Sequence, residues 1–221
     1  MNYEWDFLVV FRHFDFLLQG AVGTLKLAGM SMTIALPLGL MLAIVRILRV
    51  PVLSLLSVIY IDLFRASASL ILIFWFFFAF PILIHVDFGP FTAASLALGL
   101  QAAAYLAEVY RSGILSIGRG QWDAARALGM GYLLAMRYVI LPQAIRRVVP
   151  VIFTRLVDLL KTTSLAAAIS YDELVHHAQR LSSDTFRPIE TFTVVALMFF
   201  VTIFTCSQLT RRLERHLARS D

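Results

Sequence analysis

Long apolar runs alternate with short polar intervals along the whole chain. Five runs are long enough for helices that cross a hydrocarbon core, which takes roughly 20 residues each. They lie at about 20–45, 52–84, 91–112, 145–168 and 190–210. The pattern predicts an all-α integral membrane protein with about five transmembrane helices, organised as one transmembrane domain over 1–221.

The second run is too long for one straight crossing. At roughly 1.5 Å per residue, the stretch 52–84 exceeds a core of roughly 30 Å. It also contains Asp62, Arg65 and a patch of small residues at 66–69. These features predict a tilted or broken helix.

Composition agrees with a multi-pass membrane protein. Of the 221 residues, 60% are hydrophobic and 15% charged, and the mean hydropathy is +0.81; a soluble domain is about one-quarter charged. The single cysteine, Cys206, allows no disulfide within one chain. The adjacent His176 and His177 lack the further ligand spacing of a metal site, so a solvated loop and no metal are expected.

Arginines concentrate in alternate polar intervals. With five spans, twelve of them share the side of the C-terminus: Arg46, Arg49, Arg111, Arg119, Arg126, Arg137, Arg146, Arg147, Arg211, Arg212, Arg215 and Arg219. On the other side stand Arg12, Arg180 and Arg187, with Lys26 just inside the first span. Cytoplasmic loops carry such an excess. The C-terminus and the interval 113–143 are therefore expected in the cytosol and the N-terminus outside, and the net charge of +5 needs no nucleic-acid partner.

The cytosolic interval contains a predicted helix-turn-helix. Residues 121–128 are mostly good helix formers, and the Gly-Met-Gly run at 129–131 interrupts them. A second apolar-rich stretch follows and is expected to end before Pro142. Small Ala124 and Ala125 would let another surface approach the first helix closely. The alternative is an ordinary amphipathic loop whose arginines contact lipid headgroups.

The order of residues in this interval resembles a known motif. Asp123-Ala124-Ala125, then Gly129, then Val139, Leu141 and Pro142 resemble the E-A-A, G, I-x-L-P coupling loop of permease subunits of ATP-binding cassette importers. The runs AYLAE at 104–108, AARALG at 124–129 and ILPQA at 140–144, and Lys161 with Thr163 to Leu165, are similar to the polar amino-acid branch of that family. The resemblance covers about 104–174 and, more weakly, 18–84.

The resemblance implies a function and its partners. The chain would be the membrane-spanning subunit of an ATP-driven importer in the bacterial cytoplasmic (inner) membrane, and would form the pathway of a polar amino acid by alternating access. It would pair with the same or a similar permease, with two ATPase subunits and with an extracytoplasmic amino-acid-binding protein. The implied ATPase-coupling residues are Gln121, Asp123, Ala124, Ala125, Arg126, Gly129, Leu141 and Pro142.

No enzymatic activity is expected of the chain itself. The sequence contains no G-x-x-x-x-G-K-[ST] run, so ATP and Mg²⁺ would be bound by the partner ATPase and no cofactor by this chain. No set of nucleophile, base and orienting residue stands out either.

The chain departs from the family pattern at several positions. Asp123 replaces the usual Glu, and Val139 the usual Ile. The family tends to continue G-T-P-L after Leu-Phe-Arg, whereas residues 66–70 here are Ala-Ser-Ala-Ser-Leu. Thr162 stands where Asp is common. The identity of the transported amino acid therefore cannot be carried over.

Charged residues within the spans fall into pairs at helical spacing. An unpaired ion in hydrocarbon costs roughly 2.5–3.5 kcal/mol, so pairing is expected. The pairs are Asp62–Arg65, Glu108–Arg111, Arg155–Asp158 and Asp158–Lys161. They either line a pathway or fix helix packing. The residues predicted to line the substrate pathway are Arg65, Glu108, Asp158, Lys161, Thr163 and Ser164.

An ion-coupled secondary carrier is the alternative function. The buried charges would suit ion coupling, but five spans are few for that class and no internal repeat is apparent. A membrane scaffold without transport would explain the cytosolic interval but not the charged pairs.

Overall fold

The computed structural model describes residues 4–218. Its helices are α1 (Phe7–Arg12), α2 (Phe14–Leu48), α3 (Pro51–Ala66), α4 (Ser69–Phe74), α5 (Phe80–Ile84), α6 (Pro90–Leu115), α7 (Arg119–Ala127), α8 (Tyr132–Ala135), α9 (Leu141–Thr162), α10 (Leu174–Thr185) and α11 (Pro188–Ala218). π-Helical turns at Trp75–Ala79 and Met136–Ile140 and a 3-10 helix at Thr163–Ile169 join some of them. No strand occurs among these residues, which confirms the prediction of an all-α protein.

Three helices are long and apolar enough to cross a membrane: α2, α6 and residues Pro188–Arg212 of α11. A fourth candidate is the bent pair formed by α3 and the stretch Ser69–Ile84. The span predicted at 145–168 becomes α9 and the 3-10 helix. α9 is 22 residues long but carries five charged side chains. It is therefore not apolar enough to be identified as a membrane-spanning helix from composition alone.

The second predicted span is broken, as its length required. α3 and Ser69–Ile84 meet at an angle of 107°. The break lies at Ser67 and Ala68, both of which have extended backbone conformations. A π-helical turn then carries the chain into α5, with a backbone bond from Phe80 N–H to the carbonyl of Trp75.

α2 and α6 run parallel and form the centre of the bundle. Their contact is close because glycines remove side chains from it: a Cβ on Gly39 would lie 2.9 Å from the carbonyl oxygen of Ala103. A Cβ on Gly99 would likewise lie too close to the carbonyl oxygen of Ser31 and the side chain of Ile34. Small residues at such contacts are typical of helix packing in membranes. The core around them is apolar, with Leu27, Ala35, Leu98 and Leu106 buried.

The interval 170–189, expected to be only a polar connection, contains the amphipathic helix α10. It packs on the N-terminal part of α2, where the Tyr171 hydroxyl donates to the carbonyl of Gly23 at 3.1 Å. His177 Nδ1 lies 2.7 Å from the carbonyl oxygen of Phe16. α10 therefore lies at one end of the bundle, and α7, which follows α6, lies at the other.

Gly23 is the closest point of this contact. A Cβ there would lie 2.0 Å from the carbonyl oxygen of Asp172, whereas a Cβ on Gly29 of the same helix would meet nothing within 4 Å. Because a backbone carbonyl cannot swing aside as a flexible side chain can, Gly23→Ala is expected to destabilise the protein by roughly 1–3 kcal/mol. Thermal unfolding in detergent should show a clear loss for Gly23→Ala and none for Gly29→Ala; equal midpoints for the two variants would contradict this prediction.

Candidate functional site

The end of α7 is built by its glycine. Gly129 has φ +75°, in the left-handed region that L side chains rarely adopt. Its N–H donates to the carbonyl of Arg126 at 2.9 Å, and the N–H of Met130 donates to that of Ala125 at 3.0 Å. This pair of bonds is a Schellman motif. Gly129 thus ends α7 sharply and turns the chain toward α8, giving the helix-turn-helix predicted from the sequence.

One face of α7 is seated on its own chain. The Trp122 ring stacks on Tyr132 with centroids 5.6 Å apart. Ala125 is buried, so the expectation that it lies open to an approaching surface is wrong: at three residues from Trp122 it shares the inner face of the helix. Beneath them, Ile117, Ile140 and Ala144 form a small apolar cluster.

The opposite face of α7 is exposed. Arg126 Nη1 lies 3.7 Å from Asp123 Oδ1, about one helical turn earlier in the chain. Leu128 at the tip is 77% exposed although it is apolar. We call five exposed residues of this segment the α7 surface: Gln121, Asp123, Ala124, Arg126 and Leu128. The α7 surface is chemically suited to contact a protein, because it combines the small Ala124, the charged pair Asp123–Arg126 and the apolar Leu128.

The second part of the motif does not end before Pro142, as the sequence predicted. α8, a π-helical turn and α9 form one continuous helical path, and the N–H of Leu141 donates to the carbonyl of Met136. The wider π-turn offers a physical reason, because a proline ring clashes with the carbonyl four residues earlier in a regular α-helix. Leu141 and Pro142 lie exposed in the first turn of α9.

Two contacts join α9 to the end of α6 beside α7. A guanidinium nitrogen of Arg147 donates to the Ser116 carbonyl at 2.7 Å and to its Oγ at 3.0 Å. Close packing adds to this, since a Cβ on Gly113 would lie 2.1 Å from Val148 Cγ2. These contacts fix α9 to the end of α6 that leads into α7.

A polar cavity of about 200 Å³ lies between α4, α6 and α9. Its lining residues are Ser69, Leu98, Gln101, Ala102, Tyr105, Arg155, Asp158, Leu159 and Thr162. Two-thirds of these residues have polar side chains. We refer to it below as the polar cavity.

An ion pair and an aromatic ring face each other in this cavity. Arg155 lies 3.6 Å from the carboxylate of Asp158. Its guanidinium carbon is 5.0 Å from the centroid of the Tyr105 ring, and that of Arg65 is 5.6 Å from the same centroid. Such cation–π contacts stabilise a guanidinium away from bulk water. The cavity therefore holds the guanidinium of Arg155, the carboxylate of Asp158 and the ring of Tyr105 within a few ångströms of one another.

The predicted pathway residues are distributed unevenly around this cavity. Asp158 lines it, and Arg65 stands over the ring of Tyr105 outside the lining. Lys161 is exposed, with its amine 3.8 Å from Asp158. Thr163 is fully buried and donates to the carbonyl of Leu160 at 2.7 Å. Ser164 donates to the Lys161 carbonyl at 2.7 Å. Lys161, Thr163 and Ser164 thus lie beside the cavity, not in it.

Glu108, predicted to line the pathway, lies outside the lining of the polar cavity and forms the predicted ion pair with Arg111. It accepts from Arg46 of α2 and, at 2.8 Å, from Arg111 of its own helix. These bonds engage both of its oxygens away from the polar cavity. Glu108 therefore fits the alternative of a packing ion pair. Within the described residues, no ion pair joins Asp62 to Arg65, although their spacing predicted one.

The cavity residues Gln101 and Tyr105 were absent from the predicted pathway set. They are four residues apart, so they share one face of α6. The signal was present as two polar side chains at helical spacing in an otherwise apolar run, with Tyr105 inside the AYLAE motif. Arg155 and Thr162 stand at matching positions on α9, three residues before and four after Asp158.

Glu173 is a buried carboxylate at the opposite end of the bundle from α7. It caps α10, accepting from the N–H of His176 at 2.7 Å. The side chain is fully buried against α2, and its Oε2 has no hydrogen-bond partner. Burial raises the pKa of Glu173 to about 7, because removal from water disfavours the charged form.

This raised pKa makes stability depend on pH. The folded state keeps the Glu173 proton up to about pH 7, whereas an unfolded carboxyl loses it near pH 4.5. The stabilisation is therefore complete below about pH 4.5 and is lost as the pH rises through about 7. Glu173→Gln keeps an acceptor for the cap without ionising, so its thermal midpoint in detergent should fall less between pH 5 and 8.

The matched control is Glu4→Gln, the same change at an exposed carboxylate. Asp172, His176 and His177 lie nearby but are unchanged in all three proteins. The difference between the curves therefore reports on Glu173. Identical pH profiles for the wild type and Glu173→Gln would contradict the prediction.

Within residues 4–218, no three side chains of His, Cys, Asp or Glu lie close enough together to hold a metal ion. The adjacent histidines instead face α2 and Asp172. His177 stacks on Phe16, with ring centroids 4.2 Å apart. The geometry accounts for both histidines through packing.

Several helices long and apolar enough to cross a membrane, with a cavity lined by polar side chains between α4, α6 and α9, define an integral membrane protein. A family model for the inner membrane component of binding-protein-dependent transport systems matches residues 35–219. The chain belongs to this family, and it is the permease subunit of an ATP-binding cassette importer.

Known relatives and structures agree with this assignment. The chain is 38% identical over 208 residues to the probable glutamine ABC transporter permease protein GlnP of Bacillus subtilis (strain 168), covering 92% of this chain and 94% of that one. It is 32% identical to the probable amino-acid ABC transporter permease protein YckA of the same strain, with 97% and 96% covered.

Among solved structures, the chain is similar to the crystal structure of an amino acid ABC transporter with histidines. The TM-score is 0.92 at 31% identity, and the match covers 97% of this chain and 100% of that one. The inward-facing MetNI methionine ABC transporter shares the fold, with a TM-score of 0.73 at 21% identity over 93% and 98% of the chains. The named relatives and the first of these structures support an importer subunit over an ion-coupled secondary carrier.

Proposed function

We propose that this chain carries a polar amino acid across the bacterial cytoplasmic membrane by alternating access, driven by a separate ATPase. The observation that carries the proposal is the polar cavity between α4, α6 and α9. An amino acid is a zwitterion, so its site needs an acceptor for the ammonium and a donor for the carboxylate. Asp158 and Arg155, 3.6 Å apart, supply both.

The α7 surface is the proposed contact with the ATPase. It is exposed and chemically mixed, while the other face of α7 is fixed to its own chain through Trp122 and Ala125. A push on this surface would reach α6 and α9 through the contacts of Arg147 and Gly113. Those two helices line the polar cavity, so ATP-driven movement at one end would reshape the substrate site.

The proposed assembly has two permease subunits, this chain with a second copy or a similar chain, and two ATPase subunits. ATP and Mg²⁺ would be bound by the ATPase subunits, with no cofactor and no enzymatic activity in this chain. An extracytoplasmic binding protein would deliver the amino acid. The names of the relatives, a glutamine permease and amino-acid permeases, support the substrate class.

The proposed orientation places the N-terminus outside and the C-terminus in the cytosol. It rests on the excess of arginines in the intervals that share a side with α7. A cysteine at the exposed Leu128, in a Cys206→Ser background, should be labelled by an impermeant reagent only in inverted vesicles. Labelling in intact spheroplasts would reverse the orientation.

The function is tested by reconstitution of the chain with its native partners in proteoliposomes. Uptake of labelled glutamine and other polar amino acids should require ATP and the ATPase subunits. Ion-driven uptake by this chain alone would overturn the proposal in favour of a secondary carrier. ATP hydrolysis that responds to none of the amino acids would remove the proposed substrate class.

A further inference from the structure

The amide group of Gln101 is engaged entirely by the break between α3 and α4. Gln101 is only 7% exposed. Its Nε2 donates to the carbonyls of Ser67 at 2.8 Å and Phe64 at 3.3 Å. Its Oε1 accepts from Ser69 Oγ at 2.7 Å. One side chain of α6 therefore contacts the end of α3, the break and the start of α4.

These bonds supply hydrogen-bond donors to backbone carbonyls that the break leaves without partners. A helix that ends leaves its last carbonyls without intrahelical donors, and the hydrocarbon region offers no water to replace them. Gln101 supplies a donor to one such carbonyl, that of Phe64, and another to the carbonyl of Ser67 in the break. The Tyr105 hydroxyl, one turn further along α6, donates to a third, that of Arg65, at 3.3 Å.

Nothing covalent enforces this break. Residues 66–70 contain neither proline nor glycine, and alanine is the best helix former known. The sequence at the break would allow one continuous helix from α3 into α4. The angle of 107° must therefore be held by tertiary contacts, among which the bonds of Gln101 lie at the centre.

We propose that Gln101 is a positioning residue for transport, which holds the α3–α4 break and thereby places Ser69 against Tyr105 across the polar cavity. Its amide atoms are all committed to the break, so Gln101 acts through the shape of the cavity and not by binding the substrate. The proposal rests on the polar cavity being the substrate pathway. Loss of its donors loosens the α4 wall, which weakens substrate binding more than it slows turnover.

Gln101→Glu is the sharpest variant, because it keeps the side-chain shape and an acceptor for Ser69 but removes both N–H donors. In proteoliposomes, KM for the amino acid should rise at least about fivefold while the maximal rate changes less than about twofold. Gln19→Glu, the same change at an exposed site on α2, is the matched control and should leave KM unchanged. An unchanged KM in Gln101→Glu overturns the proposal.

A second substitution separates positioning from a general folding defect. Ala68 has φ −71° and ψ 131°, and Ser67 before it has φ −77° and ψ 140°, so a proline fits at 68 without strain. Ala68→Pro would enforce the break covalently. In the Gln101→Glu background it should return KM to within about twofold of the wild type, and failure to do so overturns the positioning role.

A distance measurement tests the same idea without transport. Spin labels at the exposed Ile71 of α4 and Leu115 of α6, in a Cys206→Ser background, report the distance between these helices. Gln101→Glu should broaden or shift the distribution, and Ala68→Pro should narrow it again. An unchanged distribution overturns the proposal even if uptake falls. Absence of amino-acid uptake by the wild type would instead refute the proposed function and leave this measurement to stand.

Discussion

Replacing Asp158 by asparagine is expected to lower uptake of the amino acid by about 10- to 100-fold. Asp158 is the carboxylate in the polar cavity, where it faces Arg155 and can accept from a substrate ammonium. Losing one charge-assisted hydrogen bond costs about 1.5–3 kcal/mol, which corresponds to that factor in affinity. The loss should appear in KM and in direct binding of labelled amino acid to the detergent-solubilised complex.

The control for this variant is Lys161→Gln. From the sequence alone, Lys161 and Asp158 looked equivalent, since both belong to one charged stripe. The structure places Asp158 in the cavity lining and Lys161 outside it, so loss of the Lys161 charge should change uptake less than about threefold. Equal losses in the two variants would remove the distinction, and normal uptake by Asp158→Asn would remove the carboxylate from the mechanism.

Ala124→Trp is expected to abolish coupling to the ATPase. Ala124 lies exposed at the centre of the α7 surface, and a large ring there would hold an approaching protein away from the backbone of α7. ATPase subunits should no longer co-purify with the permease, and substrate-stimulated ATP hydrolysis should fall at least tenfold. The fold should persist, because the buried face of α7 is untouched.

Ala196→Trp is a suitable control, since it makes the same change at an exposed alanine on α11. Co-purification with the ATPase should survive there. Retained coupling in Ala124→Trp would show that the α7 surface is not the docking site. Ala125→Trp would not be informative, because that residue is buried and its enlargement would disturb the seating of α7.

Features that depend on local periodicity could be predicted from the sequence. Continuous apolar runs located α2, α6 and α11, although their ends were placed several residues too far inward. The excess length of 52–84 indicated its break, and the glycines at 129–131 indicated the end of α7. Each of these features is set by residues close together in the chain.

Features that depend on contacts between distant segments could not be predicted. α10 was missed because its polar composition resembles a loop, whereas its apolar face is buried against residues of α2 and α11 that are distant in the chain. Ala124 and Ala125 are adjacent and chemically identical, yet one faces outward and the other inward. Which of the two alanines faces inward depends on the rotation of α7 about its own axis. The stacking of Trp122 on Tyr132, ten residues away, sets that rotation.

The polar cavity illustrates the same limit. Spacing along α9 correctly paired Arg155 with Asp158 and Asp158 with Lys161. It could not indicate that Glu108 pairs with Arg46 outside the polar cavity, or that Gln101 and Tyr105 line the cavity. Those choices depend on which helices flank α6, and no pattern within α6 records them.

The bonds of Glu108 to Arg46 and Arg111 also limit how the molecule can open. They tie the last turns of α2 and α6 together at the α7 end, and the glycine contacts near Gly39 and Gly99 leave no room for sliding further along. We therefore expect α2 and α6 to move as one unit. In the proposed transport cycle, the polar cavity would then change shape mainly where α3 and α4 contact this unit.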